Sequence, residues 1–158
     1  MTDYSDYKVR EVVFDLETTG LAYECDKIHI LSYTYNGIDL VSTSDYAEMV
    51  DFFSQEDTLF VAHNSVMFDM VVVNRILGVP LTYDKMVDTL ALSWNLWPDR
   101  GSHGLASFQS ASGVEKPNVD DWVNVTWEQM KHRCESDILI NWWLWQKQRK
   151  RLMEIYNG

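Results

Sequence analysis

The stretch Val12-Val13-Phe14-Asp15-Leu16-Glu17-Thr18-Thr19-Gly20 decides the reading of the chain. An apolar, β-branched run reads as a buried strand, and it leads directly into two acids one position apart. Residues i and i+2 of a strand project from the same face, so Asp15 and Glu17 point together at the strand's end. There Thr18-Thr19-Gly20 turns the chain. Two carboxylates held side by side raise each other's pKa unless a cation lies between them. An oxygen-only ligand set favours magnesium or manganese over zinc. The alternative is a strand that ends in solvated acids.

Working outward, residues 8–15 form the first predicted strand. Ile28 to Tyr35 carries apolar or aromatic residues on both faces, as a central strand does. Asn36-Gly37 signals a hairpin, and Ile38 to Thr43 is expected to return antiparallel. Ser44 or Asp45 caps a predicted helix over Tyr46 to Ser54, with Ala47, Val50 and Phe53, or Met49 and Phe53, turned inward. Thr58 to Ala62 is another short buried strand. A helix from about Val66 to Leu77 follows, ended by Gly78 and Pro80. Three strands in a meander, a helix and a further strand suit a mixed sheet better than a doubly wound one. Thr126-Trp127-Glu128-Gln129 fits a capping box at the head of a long helix reaching about Ile155. On that helix Met130, Cys134, Ile138, Asn141, Trp142 and Trp145 share one face.

Asp-x-Glu-Thr-Thr-Gly resembles the first motif of the DEDD (DnaQ-like) superfamily of 3′–5′ exonucleases, which use four acids from three motifs. His63-Asn64-x-x-x-Phe68-Asp69 resembles the second motif, with the spacing of phage-type family-A DNA polymerases. His132-Arg133-Cys134-Glu135-Ser136-Asp137 matches the third, His-x4-Asp. The resemblance spans about residues 9 to 145. It implies an RNase H-like α/β fold, with a mixed central sheet (a three-strand meander, then parallel strands) flanked by helices. It implies two Mg2+ (or Mn2+) ions held by Asp15, Glu17, Asp69 and Asp137. Asp15 would bridge both ions, Glu17 and Asp137 would complete one site, and Asp69 would reach the other through water. His132 would be the general base. Thr18, Thr19, Gly20 and Leu21 would meet the terminal nucleotide, and Asn64 and Phe68 the next one.

Other features keep two readings each. Asp69 also suits a helix N-terminus. Val87-Asp88-Thr89-Leu90 is a further family feature, expected to pack or orient the site rather than to catalyse. Arg100-Gly101-Ser102-His103-Gly104-Leu105 is a loop that could face a phosphate with Ser102 and His103, or cap a helix with Ser102. Gly113 to Asn118 is a second loop, containing Lys116 and Pro117. Lys147, Arg149, Lys150 and Arg151 either stabilise a helix C-terminus or touch DNA. His132 raises a geometric difficulty. Five helical residues turn about 500°, which puts His132 and Asp137 roughly 140° apart. A break near 132–134 is therefore expected.

The 158 residues suffice for one domain, 1–158, with residues 1–7 expected to be flexible. A hydrophobic content of 46% excludes a disordered chain. No apolar run approaches the ~20 residues of a membrane span. The acidic start does not read as a signal peptide. Cys25 and Cys134 give no disulfide framework, which suits a cytoplasmic setting, in a bacterial cell or phage-infected host. A net charge of −11 argues against a generic nucleic-acid binder. Bound divalent ions would relieve that charge locally. The expected substrate is a single-stranded or frayed DNA 3′ end, released as nucleoside 5′-monophosphates, with a DNA polymerase as a partner in trans. The alternatives are an exoribonuclease or oligoribonuclease of the same fold, and a polymerase-binding subunit.

Overall fold

The computed structural model describes residues 9–157; the expected flexibility of residues 1–7 lies outside them. Five strands form a mixed sheet in the order β3-β2-β1-β4-β5. β1 (Arg10–Thr18), β2 (Ile28–Thr34) and β3 (Val41–Thr43) are the meander. β4 (Thr58–Ala62) and β5 (Met86–Asp88) join β1 in parallel. The helices are α1 (Tyr46–Phe53), α2 (Asp69–Val72, continued by a π-helical turn over Val73–Leu77), α3 (Thr89–Leu96), α4 (Gln109–Ser112) and α5 (Trp127–Asn157).

β1 lies between β2 and β4 in the sheet, and a cluster of buried side chains covers each of its faces. Val12, Phe14 and Leu16 point to one layer, where Phe14 meets Phe53 of α1 edge-to-face at 5.1 Å. Val13 points to the other, against Val61, Ile138 and Trp145. The alternation of β1 therefore turns Asp15 and Glu17 toward α5. The β1–β2 register shifts between Glu17 and Thr18, an irregularity that ends regular pairing just past the second acid.

Local chemistry explains the rest. Asp45 caps α1, accepting from the Ala47 and Glu48 amides. Met49, Phe52 and Phe53 are buried there and Ala47 is exposed, so the second of the two predicted faces is the inward one. The third strand is shorter than expected, because Asn36 Oδ1 takes the Ile38 and Asp39 amides into a loop. Gly37 in that loop has φ +75, and a Cβ there would overlap the Trp142 indole at Nε1. Only glycine fits both constraints. The capping box forms as read: Gln129 N donates to Thr126 Oγ1, and Thr126 N to Gln129 Oε1.

The expected break near 132–134 does not occur; α5 runs unbroken from Trp127 to Asn157. No Gly or Pro interrupts this segment. Lys131 and Glu135 pair at i,i+4, and Ser136 Oγ bonds back to the His132 carbonyl. Local helix-forming chemistry accounts for the unbroken helix. The basic cluster at 147–151 is exposed, and its Arg149 bonds Glu11 at 3.0 Å.

Candidate active site

Asp15 and Glu17 leave β1 on the α5 side. Across from them α5 presents Cys134 and, one turn on, Asp137. Ligand atoms of Asp15, Glu17 and Cys134 all lie within 4.8 Å of one another. The Cys134 thiol donates to Asp15 Oδ2 at 3.4 Å. Asp69 opens α2 and is buried, with Oδ1 lacking a hydrogen-bond partner. Such an orphaned carboxylate oxygen is costly unless something charged meets it.

The electrostatics describe one negatively loaded cluster. Burial, then the charges of Asp137, Glu17 and Asp69, push the Asp15 carboxyl well above the usual carboxylate range. Glu17 is raised to about 7, first by burial and then by Asp137. The charges of Arg133 and Lys116 work against that rise. Burial, with Asp88 and Glu17 adding, raises Asp69 as well. Burial and Asp15 lift the Cys134 thiol, so it serves as a donor. An all-oxygen set of mutually repelling acids with an unpartnered oxygen fits a hard divalent cation such as Mg2+ or Mn2+.

Asp88 fixes the turn that delivers Asp69. It stands at the end of β5 and caps α3, accepting from the Leu90 and Ala91 amides. It also accepts from the amides of Asn64 and Val66. Asn64 has φ +63, a conformation that asparagine tolerates. This tight 63–68 turn delays α2 to Asp69, three residues later than the predicted start. Asp88 thus ties the turn before Asp69 to the start of α3 through four hydrogen bonds. His63 turns inward, its Nδ1 2.8 Å from Thr89 Oγ1, which in turn donates to Asn141 of α5.

The other predicted residues separate into two groups. Gly20 and Leu21 are exposed beside the acids, Leu21 by 69%. Thr18 Oγ1 donates to the Gly20 carbonyl, and Thr19 Oγ1 bonds Asp26, so both threonines shape the turn. Phe68 is half-buried against the core. His132 lies on the exposed face of α5. Ser102 is exposed and does not cap a helix; Gly104 precedes the helical turn Leu105–Phe108, with no side-chain cap. His103 is buried, bonded to Ser93 and stacked beneath the exposed Trp94 at 3.9 Å. Arg100 is committed to the Ser102 and Ser107 carbonyls.

Sequence reasoning missed Cys134 as a neighbour of the acids, and it missed Lys116. Lys116 Nζ lies 2.6 Å from Asp137 Oδ1. Its only sequence signal is a lone cation in a loop.

No protein-family model matches the chain. DNA polymerase III PolC-type of Staphylococcus aureus is 32% identical over 139 residues, covering 66% of this chain and 10% of that protein. The chain thus spans about a tenth of the length of the curated relatives it matches. Among solved structures, Brucella melitensis NrnC with bound Mg2+ superposes with a TM-score of 0.74 at 18% identity, covering 98% of this chain and 79% of that one. NrnC bound to pGG gives a TM-score of 0.70 at 17% identity, covering 98% and 78%. Escherichia coli RNase D, described as an exoribonuclease involved in structured RNA processing, gives 0.65 at 14% identity, over 92% of this chain and 40% of its own. E. coli exonuclease I in complex with a dT13 oligonucleotide gives 0.64 at 13%, over 93% and 42%. The RNase H-like fold read from the sequence is the fold these proteins share with the chain.

Proposed function

We propose that the chain is a divalent-metal-dependent 3′–5′ exonuclease of the DEDD superfamily. More particularly, we assign it to removal of nucleoside 5′-monophosphates from single-stranded or frayed DNA 3′ ends, in proofreading or phage DNA metabolism. The observation that carries the reading is the convergence of Asp15, Glu17, Asp69 and Asp137 from one strand and two helices. The fold shared with NrnC, RNase D and exonuclease I supports it. The partial match to a DNA polymerase supports the choice of DNA and a polymerase partner in trans.

Two Mg2+ or Mn2+ ions on these acids would supply a nucleophilic water and charge relief at the phosphate. Asp15 would be shared between them, with Glu17 and Asp137 on one and Asp69 on the other. Gly20 and Leu21 offer an exposed backbone and an apolar surface to the terminal nucleotide, with Thr18 and Thr19 holding their turn. Asn64 and Phe68 would line the path of the next nucleotide, Phe68 as a stacking surface. Ser102 stands on the exposed loop beyond, while His103 supports Trp94 from beneath. His132 would take the proton from the attacking water, which requires the first turns of α5 to open.

The second reading is an exoribonuclease or oligoribonuclease. It is favoured by the likeness to NrnC bound to pGG and to RNase D. Matched DNA and RNA oligomers, 5′-labelled and incubated with Mg2+, separate the two. The first reading expects faster shortening of the DNA from its 3′ end, lost in EDTA and in Asp15→Asn. Faster shortening of RNA would select the second, and activity that survives EDTA would refute both.

A further inference from the structure

Lys116 forms an ion pair with an acid of the cluster, Asp137, and its charge and that of Arg133 both bear on Glu17. Its ion pair with Asp137 is enclosed, the two side chains being 17% and 12% exposed. Exposed ion pairs contribute little. This one is largely enclosed and sits among neighbouring carboxylates, so solvent screens it less than a surface pair. The loop is held in place from α5. Arg133 Nη1 donates to the Pro117 carbonyl at 3.5 Å, and its guanidinium lies 4.8 Å from the centre of the Trp122 ring. Arg133 precedes Asp137 by one helical turn, so one face of α5 carries both the acid and the clamp. Pro117 restricts Lys116 to extended backbone. Val119, two residues past Pro117, is buried and fixes the loop further.

We propose that Lys116 is the resident counter-ion of the metal-free site, latched by Arg133, and that a divalent cation must displace it from Asp137 to bind. Lys116 thereby sets the metal affinity of the enzyme. The inference rests on the metal-site reading above. An ammonium neutralises one charge where a divalent ion neutralises two, so the exchange favours the metal while lowering its apparent affinity.

Mn2+ titration of the full, metal-stripped chain by calorimetry tests this. Lys116→Met should bind Mn2+ about tenfold more tightly, equivalent to ~1.4 kcal/mol. Its metal-free melting temperature should fall, because Asp137 loses its partner. Lys116→Arg keeps the charge and should stay near the parent affinity. Arg133→Lys keeps a charge near Glu17 while loosening the hold on the Pro117 carbonyl, and should lie between the parent and Lys116→Met. Lys150→Met removes a remote exposed charge and should change affinity by less than about twofold, since screening removes distant effects. Unchanged or weaker Mn2+ binding in Lys116→Met, or equal tightening in Lys150→Met, would overturn the displacement. If the parent binds no Mn2+, or if Asp15→Asn binds it equally well, the metal-site reading itself fails, and this proposal with it.

Discussion

Glu17 illustrates how the site sets stability against function. Its carboxyl is raised to about 7 by burial and by Asp137, and Asp15 and Asp69 are raised in the same direction. A folded-state pKa above the unfolded value gives stability that is full below about 4.5 and lost as pH rises through about 7. The melting temperature in EDTA should therefore fall between pH 5 and pH 8. Saturating Mg2+ should flatten the profile, because the bound metal holds the carboxylates ionised. A flat profile in EDTA, read by calorimetry, would mean that the acids relax apart without metal. Asp15→Asn should raise the metal-free melting temperature at pH 8 by about 2–4 °C, the scale of ~1 kcal/mol in a domain of this size, while removing nuclease activity. Asp88→Ala should cost about 1–3 kcal/mol, because four amides lose their acceptor. It should also lower kcat/KM at temperatures where the fold is intact, since the Asp69 turn loosens. Denaturant melts and kinetics on the same preparation separate the two effects. The acids themselves were legible in the sequence, because motif spacing on a strand and two helices is local information. Lys116 and Cys134 were not, since their meaning depends on a loop and a helix meeting across the sheet.

At the scale of elements, α5 is the clearest divergence from expectation. A helix of good formers with a satisfied capping box has no local reason to break, whatever a reaction requires of His132. If His132 is the general base, the segment 127–133 must open when substrate binds. Amide exchange over these residues should be slow in the free protein and faster with Mn2+ and a phosphorothioate-blocked oligonucleotide. His132→Ala should lower kcat by about 10²–10⁴-fold. An unchanged kcat in His132→Ala would assign the proton transfer to another group. The hairpin loop makes a separate prediction. Gly37→Ala meets both a positive φ and the Trp142 indole, so it should destabilise by roughly 1–3 kcal/mol in urea melts. The Asn36-Gly37 turn, the α1 cap and the Gly78 stop were readable because turn and cap residues act locally. β5 was not, because its three residues are too few to show a period.

Over the whole molecule, a net charge of −11 leaves metal-bound phosphate as the main electrostatic attraction for a polynucleotide. Part of the basic cluster near the end of α5 is spent on Glu11 and Glu154. Binding of a single-stranded oligonucleotide, followed by fluorescence anisotropy, should therefore require a divalent ion. Equal affinity in EDTA would show that basic side chains, not a bound metal, carry the binding. The sheet order has one further bearing. β1, which carries Asp15 and Glu17, is paired with β4 over Arg10 to Val13 and with β2 over Val13 to Thr18. The strand's central position ties its opening to that of the sheet. The two acids follow just beyond the stretch held by β4, so they are anchored from behind while the edge beside them is not taken up by that strand. Heat should cost the protein its activity through collapse of the whole fold or slackening of the Asp69 turn and the Lys116 loop, with the Arg10–Val13 stretch of β1 among the last to yield.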